Sequence, residues 1–238
     1  MRLAMWSGPR NLSTAMMYSF AQRRDFAVVD EPFYGPYLRL TGLDHPMRQE
    51  VLASRPETEF EVEQSLIGPI PDDKPNVYHK HMCQHMLPGM PRTFIAQCTN
   101  VFLIRHPQRV VASFAKGYPK LTVDDVGFHQ QSRLFDEVGA LGQTPVVIDS
   151  EDIRTDPKHA LRALCDAISL EWDASMLSWS KGGHPSDGVW AAHWYKSVHQ
   201  STGFAGPEGP MPDVGDHQTL VKACMPHFKK MSACKLRL

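Results

Sequence analysis

Short apolar runs at positions 3–6, 26–29, 76–78, 101–104 and 145–148 are separated by segments long enough to hold helices. That spacing predicts an α/β chain with a mostly parallel sheet and crossover helices. After the first run, Leu12, Ala15, Met16 and Phe20 share one helical face, with Arg23 and Arg24 near the helix end, where positive charge suits the dipole. After the fourth run, Arg105-His106-Pro107 leads into Val110, Val111 and Phe114, so Pro107 fits a first helical turn. A further helix is expected where Asp156 caps and Pro157 starts, with Ala160, Leu161, Leu164, Cys165 and Ile168 as its buried stripe. Leu220, Val221, Cys224 and Phe228 predict a closing helix.

Two segments break the alternation. Residues 35–73 are rich in Pro and Glu, with a helix expected over 57–66, and form either a substrate-side lid or a peripheral helical pair. Residues 190–215 are rich in Gly, Pro and aromatics, a loop able to cover a ligand. No tandem repeat is present. The expected organisation is one domain over 1–238 with a helical insertion at about 35–73, and 42% hydrophobic content suffices for a sizeable core.

Charge excludes some partners. With 25 basic and 26 acidic residues the net charge is -1, so no global field draws nucleic acid or an anionic membrane surface, and an anion must be caught by a local site. Five cysteines with no C-x-x-C pair suggest neither a disulfide framework nor a zinc site. The first apolar run begins almost at Met1, leaving no room for a cleavable signal, and no run reaches about 18 apolar residues, so a cytoplasmic protein is expected.

The string Ser7-Gly8-Pro9-Arg10-Asn11-Leu12-Ser13-Thr14 lies between the first apolar run and its helix. Small and hydroxyl residues at a helix N-terminus, where N–H groups are unpaired, suit a phosphate or sulfate. The string departs from G-x-x-x-x-G-K-[ST]: Leu12 stands at the lysine position and Asn11 at the second glycine, which argues against an ATP or GTP site. Arg10 offers a guanidinium fork in place of the lysine. Alone, the string is equally compatible with an ordinary turn and helix cap.

A second junction changes the balance. Together with Val101-Phe102-Leu103-Ile104-Arg105-His106-Pro107, continuing through Val110, Ala112 and Ser113, the string resembles the family of sulfotransferases that use 3′-phosphoadenosine 5′-phosphosulfate (PAPS). The resemblance implies a P-loop NTPase-like architecture in which Ser7 to Thr14 hold the 5′-phosphosulfate and Arg105 and Ser113 hold the 3′-phosphate. It continues through 146–152, the Asp156-Pro157 helix and Met176-Leu177. At the C-terminus no R-K-G-x-x-G-D-like nucleotide loop occurs; Ser201-Thr202-Gly203-Phe204, after Trp194-Tyr195-Lys196, is the candidate replacement.

Sulfuryl transfer to an alcohol needs positioning, charge stabilisation and a base for the acceptor proton. Glu31, in Asp30-Glu31-Pro32-Phe33, is the first candidate base, and the resemblance also implies a glutamate in this region. His79-Lys80-His81, expected to end the third strand, offers His81 as a rival base and Lys80 as a cation for the leaving phosphate, with His85 a further candidate. Arg10 joins them as a charge stabiliser. The implied cosubstrate is PAPS, with PAP as product, and the implied partner is a small-molecule hydroxyl acceptor. No metal is expected, since no carboxylate or cysteine is spaced to complete a site with the histidines. Two alternatives stand beside this reading: a P-loop-type small-molecule kinase, with Asp149, Glu151 and Asp152 as a magnesium site, and an inactive nucleotide-binding module.

Overall fold

The computed structural model describes residues 1–118 and 120–238. Strands β1 (Arg2–Ser7), β2 (Phe26–Asp30), β3 (Asn76–Met82), β4 (Thr99–Ile104) and β5 (Val146–Asp149) form one parallel sheet in the order β2-β3-β1-β4-β5. The helices in chain order are α1 (Ser13–Ala21), α2 (Tyr34–Thr41), α3 (Arg48–Ser54), α4 (Glu59–Ile67), α5 (Pro107–Ala115), α6 (Val123–Val126), α7 (Phe128–Ala140), α8 (Ser150–Thr155), α9 (Pro157–Ala167), α10 (Ala191–Trp194), α11 (Lys196–His199) and α12 (Gln218–Ser232). No helix among the described residues is long and apolar enough to cross a membrane.

Strand alternation sorts the core into two layers. Leu3, Met5, Val28, Tyr78, Val101, Leu103 and Ile148 face α1 and α9, meeting Met16, Phe20, Leu161 and Leu164. Ala4, Trp6, Phe102, Ile104 and Val147 face the other way, against Val110, Leu134, Val138, Val221 and Phe228 of α5, α7 and α12. The crossover from β1 leads to one side of the sheet order and that from β4 to the other. The order therefore reverses between β1 and β4, and a crevice opens at their carboxyl ends, the usual ligand position in such sheets. Gln131 of α7 bridges this split, donating to Trp6 O at 3.0 Å and Leu103 O at 2.9 Å.

Several local expectations are corrected. β3 runs to Met82, past the apolar run at 76–78, so His79, Lys80 and His81 lie inside it and the strand ends just beyond them. α1 ends at Ala21 without a basic last turn; Arg23 instead pairs with Asp25 at 2.9 Å and donates to Glu171 O at 2.8 Å. Leu12 is not on the buried helical face but at the N-cap of α1, with φ 71°. In the 35–73 insertion, α4 begins on a Thr58–Glu61 capping box. His106 caps α5 ahead of Pro107, and Asp156 caps α9.

Candidate functional site

A cavity of about 680 Å³ opens at the carboxyl edge of the sheet. Its wall follows the strand order. The loop after β2 and α2 supply Glu31, Tyr34 and Tyr37; β3 supplies Lys80; the loop after β1 and the start of α1 supply Pro9 to Thr14; the end of β4 and α5 supply Arg105 and Ser113; and α8 supplies Arg154.

The β1 loop gathers the cationic end. Arg10 and Leu12 both adopt positive φ, 61° and 71°, a conformation that costs such residues about 1–3 kcal/mol and is found mostly where function requires it. The fold overrides the cost with specific ties. Arg105 Nη1 donates to Arg10 O at 2.6 Å, Arg10 Nε donates to Ser113 Oγ at 3.0 Å, and Asn11 Nδ2 donates to Leu103 O at 3.3 Å. Leu12 cannot cap with its side chain, so the first-turn N–H groups of α1 gain no side-chain acceptor at its N-cap. Gly8 answers to packing, since a Cβ there would stand 2.8 Å from Val126 O.

At the β2–β3 end, Lys80 is 1% exposed and surrounded by oxygen. Its Nζ bonds Asp30 Oδ1 at 2.9 Å, Glu31 Oε1 at 2.7 Å and the Tyr195 hydroxyl. Burial alone would push its ammonium down, but the carboxylates of Asp30 and then Glu31 reverse this and hold it above the ordinary lysine range. The Tyr195 phenol, raised well above its ordinary value by burial and then by Asp30 and Glu31, stays neutral. It accepts from Trp190 Nε1 at 3.0 Å and donates to Asp30 at 2.9 Å. Gly188 completes the enclosure: its N–H donates to Asp30 Oδ2 at 3.0 Å, and a Cβ there would lie 2.2 Å from the Trp190 ring. Glu31 itself has φ 39° and donates its N–H to Lys80 O at 3.0 Å.

Beyond Glu31 the wall turns aromatic. The His85 ring stacks on Tyr34 at 4.6 Å and on Tyr37 at 4.7 Å, and the Tyr34 hydroxyl lies 2.9 Å from His45 Nδ1. Tyr118 stacks on Trp194 at 5.6 Å. The front of the insertion therefore faces the cavity, whereas α4 packs against 93–97 at the periphery. On the opposite side Glu208 sits among Arg105, Arg109 and Arg154, with Arg154 Nη1 at 2.5 Å and Arg109 Nε at 2.6 Å.

With this geometry in view, a family model described as a sulfotransferase domain matches residues 1–235. The chain belongs to the sulfotransferase-domain family. This sulfotransferase domain is 40% identical over 226 residues to branched-chain-amino-acid aminotransferase-like protein 1 of Arabidopsis thaliana, and 37% identical over 226 residues to protein 2 of that name. Each match covers 94% of the present chain, which spans only 40% of the length of either relative. Among solved structures, the sulfotransferase domain from the curacin biosynthetic pathway superimposes with a TM-score of 0.51 at 14% identity, covering 95% of this chain and 96% of that one. That likeness supports the fold.

Within this sulfotransferase domain, Pro9, Arg10, Asn11, Leu12, Ser13, Thr14, Glu31, Lys80, Arg105 and Ser113 all line the one cavity. Three expectations need correction. His81 does not reach the cavity: strand alternation turns it to the face opposite Lys80, where it is 2% exposed and stacks on Trp6 at 4.3 Å. Burial, then the charges of His79 and His85, push its imidazole well below the ordinary range, so it is a neutral core residue. Ser7 and Gly8 lie behind the loop, with Ser7 Oγ 3.5 Å from His81 O. Lys80 directs its three N–H groups at Asp30, Glu31 and Tyr195, so in this arrangement none is free to donate to a leaving phosphate.

Asp149, Glu151 and Asp152 do not line the cavity; Asp149 caps α8 and Asp152 pairs with Lys235 at 2.7 Å. Among the described residues no group of three or more His, Cys, Asp or Glu is placed to hold a metal. Sequence reasoning missed Asp30, Arg154, Tyr195 and Glu208 as site residues. Asp30 carried a signal, an acid opposite a lysine in adjacent strands, but only the β2–β3 register makes it readable.

Proposed function

We propose that this chain transfers a sulfuryl group from PAPS to a hydroxyl of a small acceptor molecule. The observation that carries the reading is the convergence of Arg10, Arg105 and Ser113 beside the N-terminus of α1, in one cavity with Glu31. This gives two anion positions, one at the α1 N-terminus and one at Arg105 and Ser113. A nucleotide phosphorylated at both 5′ and 3′ positions needs two such positions. The chemistry of the residues fits: Arg105 Nε is buried without a hydrogen-bond partner, and guanidinium forks match tetrahedral oxyanions.

The donor supplies a sulfuryl group whose bond to the 5′-phosphate oxygen breaks as the acceptor oxygen bonds to sulfur. The first turn of α1 and Arg10 hold the 5′ end and stabilise charge on the departing oxygen. Glu31 takes the acceptor proton as the new bond forms. Lys80 Nζ holds the Glu31 carboxylate in position. The wall of Tyr34, Tyr37 and His85 excludes water and holds the acceptor's carbon skeleton.

Arg105 gives the test. Arg105→Ala is expected to weaken PAP about 10- to 100-fold, the effect of charge-assisted hydrogen bonds to a phosphate, and AMP by clearly less, through the lost tie to Arg10 O in the 5′ loop. Calorimetric titration of both nucleotides reads the difference. Equal weakening of AMP and PAP would remove Arg105 from the 3′-phosphate position.

A further inference from the structure

Residues 205–212, Ala205-Gly206-Pro207-Glu208-Gly209-Pro210-Met211-Pro212, run outside any helix or strand ahead of α12. Pro207 and Gly209 are exposed, yet the Glu208 side chain between them is 3% exposed. It enters a cluster of three guanidiniums. Its Oε1 meets Arg105 Nη2 and, at 2.5 Å, Arg154 Nη1, and its Oε2 lies 2.6 Å from Arg109 Nε. The rest of the strap is tied by side chains that donate to its backbone: Arg154 Nε to Gly206 O at 2.8 Å, Arg109 Nη2 to Gly209 O at 2.7 Å and Gln108 Nε2 to Pro212 O at 2.7 Å. A Gly- and Pro-rich segment held by a few polar ties, with little apolar burial, belongs to the low-stability end of a structure.

The placement of the charges is selective. Arg105 and Arg154 line the cavity, whereas Glu208 and Arg109 lie behind them. Glu208 thus draws on the same two guanidiniums that face a ligand. Three cations against one carboxylate leave positive charge in excess, and the Arg10 guanidinium, close enough to feel the like charge of Arg105, adds to it. A phosphate monoester carries about -1.5 to -2 charge and three acceptor oxygens, more than one carboxylate offers to those donors.

We propose that Glu208 is a specificity-determining residue of the nucleotide site: an internal anion that holds Arg105 and Arg154 and yields them when a 3′-phosphate binds. The inference rests on the sulfuryl-transfer reading for the identity of that phosphate. Releasing Glu208 draws on the binding energy, so the protein with its native glutamate binds 3′-phosphorylated nucleotide more weakly than the arginines alone would allow. A nucleotide without the 3′-phosphate leaves Glu208 in place and is indifferent to it.

Titration of PAP and AMP into the wild-type chain and Glu208→Gln, which keeps the shape of the side chain but not its charge, tests this. PAP is expected to tighten about tenfold or more in the variant with AMP unchanged. If wild type prefers PAP to AMP but the variant binds PAP equally or more weakly, Glu208 merely orients the arginines; the inference falls and the sulfuryl-transfer reading stands. If neither protein separates PAP from AMP, the reading itself fails and takes the inference with it. Limited proteolysis of the wild-type chain with a glutamate-specific protease decides independently of how the variant folds. Added PAP should speed cleavage after Glu208, whose side chain is 3% exposed while it holds the arginines, and slower cleavage there would overturn the proposal.

Discussion

Glu31→Gln is expected to lower the turnover of sulfuryl transfer about 10²- to 10⁴-fold, the usual contribution of a general base, with PAP affinity unchanged. The substitution is isosteric and the amide oxygen can still accept from Lys80, so the 2.7 Å contact and the packing persist. What disappears is the capacity to take a proton. Glu31 is suited to that role by position: it is 8% exposed, lines the cavity and separates the aromatic wall from the cationic end. Its φ of 39° places the carboxylate beside Lys80 at a backbone cost that packing alone does not explain. A turnover within a few-fold of wild type, measured at saturating PAP and acceptor, would assign the base elsewhere.

Lys80→Met should destabilise the fold by about 3–5 kcal/mol, because it strands two carboxylates in a site from which water is excluded. The Asp30 side chain is fully buried and the Lys80 side chain nearly so, hence solvent cannot replace the lost ammonium. Removing the opposing charge as well, in Asp30→Asn/Lys80→Met, should recover part of the loss, since the penalty lies in the unpaired charge rather than in the absent ion pair. Denaturant melts of the three proteins read both effects. A Lys80→Met loss within about 1 kcal/mol would mean the pair contributes no more than a surface salt bridge.

The sheet and its crossovers were legible because a parallel strand buried on both faces reads as an apolar run and its helix as a stripe. β3 shows where that signal stops. Lys80 and His81 break the apolar run, yet the strand continues, because Lys80 finds Asp30, Glu31 and Tyr195 while His81 finds Trp6 and Phe94. Those compensations come from elsewhere in the chain and leave no mark in the local pattern.

The site divides in the same way. Arg10, Glu31 and Arg105 stand at strand-to-helix junctions, where a sequence points directly at the carboxyl edge of a sheet, and Ser113 lies within the helix that follows Arg105. The choice between Glu31 and His81 as base depended on the phase of alternation along β3, which an apolar run ending at Tyr78 could not supply. Tyr195 and Glu208 come from the irregular C-terminal segment, and only the tertiary structure brings Tyr195 to Lys80 and Glu208 to Arg105. The positive φ of Leu12, likewise, is imposed by the loop and not by residue preference.

Calorimetric titration of the wild-type chain with PAP and with ADP, each in the presence and absence of magnesium, tests the nucleotide assignment most directly. PAP should bind more tightly than ADP, and without magnesium. Preferential binding of ADP that depends on magnesium would contradict the assignment and favour a phosphoryl-transfer enzyme on the same sheet.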